Sequence, residues 1–74
     1  MALGLDQFIS PGTKVLYDGT GVPEYGVVVH CWLDEFGAYD CYVAFFGDEM
    51  PTSGKPKCRP YILRYFANSL NEIE

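Results

Sequence analysis

Glycine and proline punctuate this chain so closely that strands fit between them and helices do not. Pro11-Gly12, Gly19 to Pro23, Gly37, Gly47 and Pro51 to Pro60 divide it into short runs rich in valine and aromatic residues. β-Branched and ring side chains pack well on a pleated surface, while glycine and proline supply the turns between. The spacing predicts strands at Thr13–Tyr17, Tyr25–Leu33, Tyr39–Phe46 and Tyr61–Tyr65, with a short closing strand near Leu70–Ile73. Phe66-Ala67-Asn68-Ser69 reads as a single helical turn leading into that last strand. The expectation is therefore an all-β chain whose 74 residues make one domain, residues 1–11 being an N-terminal extension.

The central run Tyr25–Leu33 holds three consecutive valines followed by His30, Cys31, Trp32 and Leu33. A loop over Asp34–Ala38 sets Leu33 opposite Tyr39, Cys31 opposite Cys41, Val29 opposite Val43 and Val27 opposite Phe45. These side chains share one face, which the pattern assigns to the interior. On the other face Trp32 lies beside Asp40, His30 beside Tyr42 and Val28 beside Ala44, with Phe46 further along. The outer face of a small antiparallel sheet is normally polar, and this one is mostly apolar and aromatic.

A chain this short buries only about 60% of its unfolded surface, and such domains usually need a staple. Metal is not expected to supply it, because His30, Cys31, Cys41 and Cys58 form no C-x-x-C or H-x-x-x-H spacing. The opening MALGLDQFIS carries no basic segment or long apolar run, so the expected location is the cytoplasm, with no membrane contact. Thiols stay reduced there, which removes disulfides. Oligomerisation is left as the staple. With 49% hydrophobic and 16% aromatic residues, apolar surface remains once the core is filled. A second copy of the chain is the expected partner, as a dimer or tetramer.

A net charge of −5 repels a phosphate backbone, so no nucleic-acid partner is expected. Four of the five cations, Lys55, Lys57, Arg59 and Arg64, nevertheless fall close together. They read as solvated loop charges and intersubunit ion pairs, with a basic patch that contacts a ligand as the alternative. Gly47 to Pro60 reads as one long loop between the third and fourth strands, and loops of that length are often functional.

The chemistry-bearing residues are few. His30 is the only histidine, and a catalytic imidazole wants an oriented nucleophile or carboxylate beside it; its expected neighbours are Tyr42, Trp32 and Val28. Cys31 and Cys41 read as core side chains. Cys58, between Lys57 and Arg59, is the one cysteine placed to form a thiolate. Trp32, Tyr42 and Phe46, joined by Tyr17 or Tyr39 and helped by Asp40 and Asp48, are the residues from which a cation-binding aromatic cage could be built. The adjacent carboxylates Asp34-Glu35 and Asp48-Glu49 diverge and make no acid/base dyad. Gly19-Thr20-Gly21 opens no helix and so cradles no phosphate.

The order Gly12 to Tyr17, Tyr25 to Val29, Cys41 to Asp48, then a helical turn before Leu70 to Ile73, resembles the SH3-like superfold, particularly its Tudor and KOW-type versions. That resemblance implies a five-stranded SH3-like barrel with a short 3-10 turn before the last strand. A second resemblance is to the type II dihydrofolate reductases, in which short SH3-like chains assemble as tetramers around a pore. Gly12-Thr13-Lys14-Val15 is similar to their opening strand, and Tyr65 to Ile73 to their closing turn and strand. Their active-site stretch Val-Gln-Ile-Tyr corresponds to Ile62-Leu63-Arg64-Tyr65, where only the tyrosine is kept. The reductase activity and its cofactor are therefore not carried over. The looser implication is a chain from a mobile gene cassette with the same habit of self-assembly.

The resulting expectation is a non-enzymatic, self-associating SH3-like binding or adaptor module that takes no cofactor. One alternative is a small-molecule-binding protein or enzyme whose site, using Tyr65, Arg64 and His30 from several subunits, forms only at a symmetry axis. The other is a Tudor-like peptide binder using the aromatic cluster.

Overall fold

The computed structural model describes residues 7–49 and 59–73. It contains five strands, β1 (Lys14–Tyr17), β2 (Glu24–Leu33), β3 (Tyr39–Phe45), β4 (Tyr61–Phe66) and β5 (Asn71–Glu72), with a 3-10 turn at Ala67–Ser69 before the last. The all-β class and that turn are as the sequence predicts, and no strand end differs from prediction by more than one residue. Every pairing is antiparallel, and the order across the sheet is β4-β3-β2-β1-β5. The sheet is not closed: β4 and β5 are its two edges.

The sheet nevertheless curls on itself. In a flat sheet β1 and β4, three strand spacings apart, would be separated by about 14 Å. The rings of Tyr17 and Tyr65, on those two strands, instead stack with centroids 4.1 Å apart. The concave side encloses Val15, Val28, Cys31, Cys41, Val43 and Phe45, closed off by Ala67 and Leu70 from the turn and by Ile9. Ile9 comes from the stretch read as an extension. It is buried, its N–H lies 3.5 Å from the Cys31 sulfur, and the neighbouring Phe8 ring sits edge-on to Tyr39.

The hairpin turn follows from two residues. The Asp34 carboxylate accepts hydrogen bonds from the backbone N–H groups of Phe36 and Ala38, at 2.9 and 3.0 Å. Gly37 adopts a φ of 84°, which a side chain would disfavour. The turn thereby fixes the predicted pairs Leu33↔Tyr39, Trp32↔Asp40, Cys31↔Cys41 and His30↔Tyr42.

Beyond His30 the expected register fails by one residue. A β-bulge between Val28 and His30 moves the pairing to Val28↔Val43, Val27↔Ala44 and Gly26↔Phe45. Val28 is therefore buried at 1% exposure, while Val29, assigned to the interior from the sequence, is 51% exposed. The cause is the space that Phe45 takes. A Cβ on Gly26 would lie 2.7 Å from a Val43 methyl, 2.8 Å from the Ala44 carbonyl oxygen and 2.9 Å from the Phe45 ring. Only glycine fits opposite Phe45, so Val27 cannot occupy that place, and one extra residue on β2 brings Gly26 there. Leu33, also assigned inward, is 58% exposed because it lies where the hairpin runs past the core.

Among the described residues no helix is long and apolar enough to cross a membrane. Met50 to Cys58, which include Lys55, Lys57 and most of the predicted long loop, lie outside the described residues, as do residues 1–6. The expectation of a reactive Cys58 falls there.

Candidate binding surface

The convex face of β2, β3 and β4 is built in rows, because residues paired across an antiparallel ladder point to the same side. One row runs His30, Tyr42, Arg64, and the next runs Trp32, Asp40, Phe66. Ala44 and Ile62 continue the face toward the bulge. The rings form a chain: His30 stacks on Trp32 at 5.6 Å and 19°, and Trp32 meets Tyr42 at 5.0 Å and 39°. His30 is exposed and Trp32 half-buried, while Tyr42, Ile62 and Phe66 are 43%, 54% and 51% exposed. The apolar outer face expected from the sequence is thus present in this structure.

Asp40, expected from the sequence to sit beside Trp32 and to help a cation cage, has its partner within the chain. Its carboxylate is buried, although it points to the outer side, because Trp32 and Phe66 flank it on the adjacent strands. Arg64 reaches diagonally from the neighbouring row and donates a hydrogen bond from Nη2 to Asp40 Oδ2 at 2.9 Å. The same guanidinium lies over the Trp32 ring, 5.6 Å from its centroid. The Asp40 hydrogen bond, reinforced by its charge, holds the Arg64 guanidinium above its ordinary range. A signal was available in the sequence: aspartate is disfavoured inside a strand, so a mid-strand Asp beside Trp32 calls for a cation on the next strand.

The bridge borders an open depression of about 300 Å³ lined by Asp40, Arg64, Tyr65, Phe66 and Ser69. Asp34 is not among that lining, its carboxylate being bonded within the hairpin turn. Its carboxyl is held below the usual range chiefly by the Ala38 backbone N–H, with help from the Phe36 N–H and the Arg64 charge.

The remaining candidates do not join this group. Tyr65 points to the concave side, where it stacks on Tyr17 and meets Phe45 edge-on at 5.8 Å. Burial, then the neighbouring Tyr17, pushes its phenol above the ordinary value. Near it the Tyr61 hydroxyl donates to the Glu24 carboxylate. Phe46 lies just past β3, its N–H donating to the Tyr25 carbonyl at 2.8 Å. It lies four positions beyond Tyr42, about 13 Å along a strand. Tyr17 and Tyr39 are likewise committed to packing against the core.

Cys31 and Cys41 face each other inside the sheet. Burial, then the neighbouring Cys31, pushes the Cys41 thiol up to about 12, so it stays protonated and unreactive at neutral pH. Among the described residues no three His, Cys, Asp or Glu side chains gather as a metal set. The arrangement offers an extended aromatic contact surface carrying one fixed guanidinium.

Compared with known proteins, the chain matches no family model, no curated protein and no solved structure.

Proposed function

We propose that this chain is a small SH3-like binding module that works as a homo-oligomer, with the convex face of β2, β3 and β4 as its contact surface. An antiparallel meander whose last strand returns to β1 through a 3-10 turn supports the SH3-like reading. The observation that carries the functional reading is the contiguous His30, Trp32, Tyr42 and Ile62 surface, exposed in a chain with little core to spare. Apolar surface of that kind on a small acidic protein marks a place where water is excluded by a partner.

Two rival readings have less support. A cation cage needs the face of Trp32 for its ligand, and Arg64 already lies over it. A site at a symmetry axis drawing His30, Arg64 and Tyr65 from several subunits has less to draw on, because Tyr65 is stacked on Tyr17 and packed against its own core and Arg64 is bonded to Asp40. Size-exclusion chromatography with light scattering tests the proposal. At tens of micromolar the expected mass is a dimer or larger, and Trp32→Glu is expected to lower it. A monomeric parent, or a mass unaltered by that substitution, removes the convex face from consideration.

A further inference from the structure

We propose that the outer edge of β4 pairs with the same edge of a second copy, antiparallel and centred on Leu63, joining the two sheets into one. The proposal rests on the self-association reading and names a seam for it.

The two edges of the sheet are unlike. β5 is two residues long and carries the carboxylate of Glu72, two features that discourage pairing with another chain. β4 is six residues long, and no described strand pairs with its outer edge. Tyr61, Ile62, Leu63 and Phe66 are between 37% and 54% exposed. It contains no proline, glycine or lysine. Its one charge, Arg64, is turned onto its own sheet and neutralised by Asp40. The cation that would guard this edge is spent within the chain, so the seam is electrically neutral on a protein of net charge −5.

The pattern along β4 points to a second copy as the occupant. A two-fold axis normal to the sheet pairs residues of the same face, so it must pass through a residue and not between two. Tyr61, Leu63 and Tyr65 share one face, and their order reads the same in both directions about Leu63. In that register Leu63 meets its own twin, Tyr61 meets Tyr65 of the second copy, and Ile62 meets Arg64. Centring on Arg64 sets two guanidinium groups directly opposite each other, which is unfavourable. Centring on Ile62 brings Pro60, which has no N–H to donate, inside the paired stretch opposite Arg64, whereas the Leu63 register leaves it at the strand's end opposite Phe66. In the Leu63 register the convex faces of both copies become one surface, with their Trp32, Tyr42 and Ile62 side chains in continuous succession.

Cross-linking and mass together test this seam. In a Cys58→Ser background, mild copper-catalysed oxidation is expected to convert most of the Leu63→Cys protein to a disulfide dimer. Ile62→Cys is expected to stay at the background level. Leu63→Lys, whose circular dichroism should match the parent, is expected to run at half the parent mass or less. If Leu63→Lys keeps the parent mass while Trp32→Glu lowers it, the seam is overturned and the convex-face reading stands. If Leu63→Lys lowers the mass and Trp32→Glu does not, the seam stands without that face. Cross-linking through Ile62→Cys alone overturns the register, and a monomeric parent overturns both readings.

Discussion

The buried carboxylate of Asp40 is held by the exposed guanidinium of Arg64, one partner 2% and the other 57% exposed. The two ends of the bridge should therefore respond unequally to mutation. Removing Arg64 strands a charge beneath Trp32 and Phe66, whereas removing Asp40 leaves a cation that water can solvate. Arg64→Met is expected to lower Tm more than Asp40→Asn. Equal losses of Tm in thermal unfolding would show that the unequal burial of the two partners does not bear on stability.

Gly26 has no room for a methyl group against Val43, Ala44 and Phe45, one of the three close atoms being backbone. Gly26→Ala is expected to destabilise the domain by about 1–3 kcal/mol, the usual cost of overpacking. Urea denaturation measures it. A loss under about 0.5 kcal/mol, the range of ordinary surface substitutions, would mean that the hairpin shifts freely at this point.

The bulge makes opposite forecasts for two adjacent valines. Val29→Lys places its ammonium in water and should change stability by no more than about 0.5 kcal/mol. Val28→Lys buries a charge beside Val43 and is expected to abolish cooperative unfolding. An uninterrupted ladder would reverse the two results, so comparing their thermal melts tests the register directly.

The Cys41 thiol, raised from 9.0 to about 12, binds its proton more tightly folded than unfolded. Its contribution to stability is therefore complete below pH 9 and is lost as pH rises toward 12. The slope from this one group is at most about 1.4 kcal/mol per pH unit. Cys41→Ala should be less stable at neutral pH but show a shallower alkaline decline. In the parent, Cys41 is expected to resist alkylation at pH 8 until urea is added; rapid labelling of the folded protein, located by mass spectrometry, would contradict its burial.

Strand positions were legible because they depend on local chemistry: β-branched and aromatic runs between Gly37, Gly47 and the proline-containing turns. The hairpin pairs from Leu33 to His30 were legible for the same reason, since Asp34 and Gly37 define the turn that sets them. The apolar convex face followed from that register, and Trp32, His30, Tyr42 and Arg64 do meet there. Phe46 and Tyr65 do not, because distance along the strand and the inward turn of the curled sheet separate them.

The sequence alone determined the all-β class, the strand order along the chain and a mostly apolar, aromatic outer face, each a matter of neighbouring residues and period-two alternation. Only the tertiary structure decided which valine of Val27, Val28 and Val29 faces inward, because that depends on the volume of Phe45 across the ladder from Gly26. It also decided the pairing of Asp40 with Arg64. Those residues are remote in sequence and meet only when β4 lies beside β3 and a buried charge has to find its counterpart.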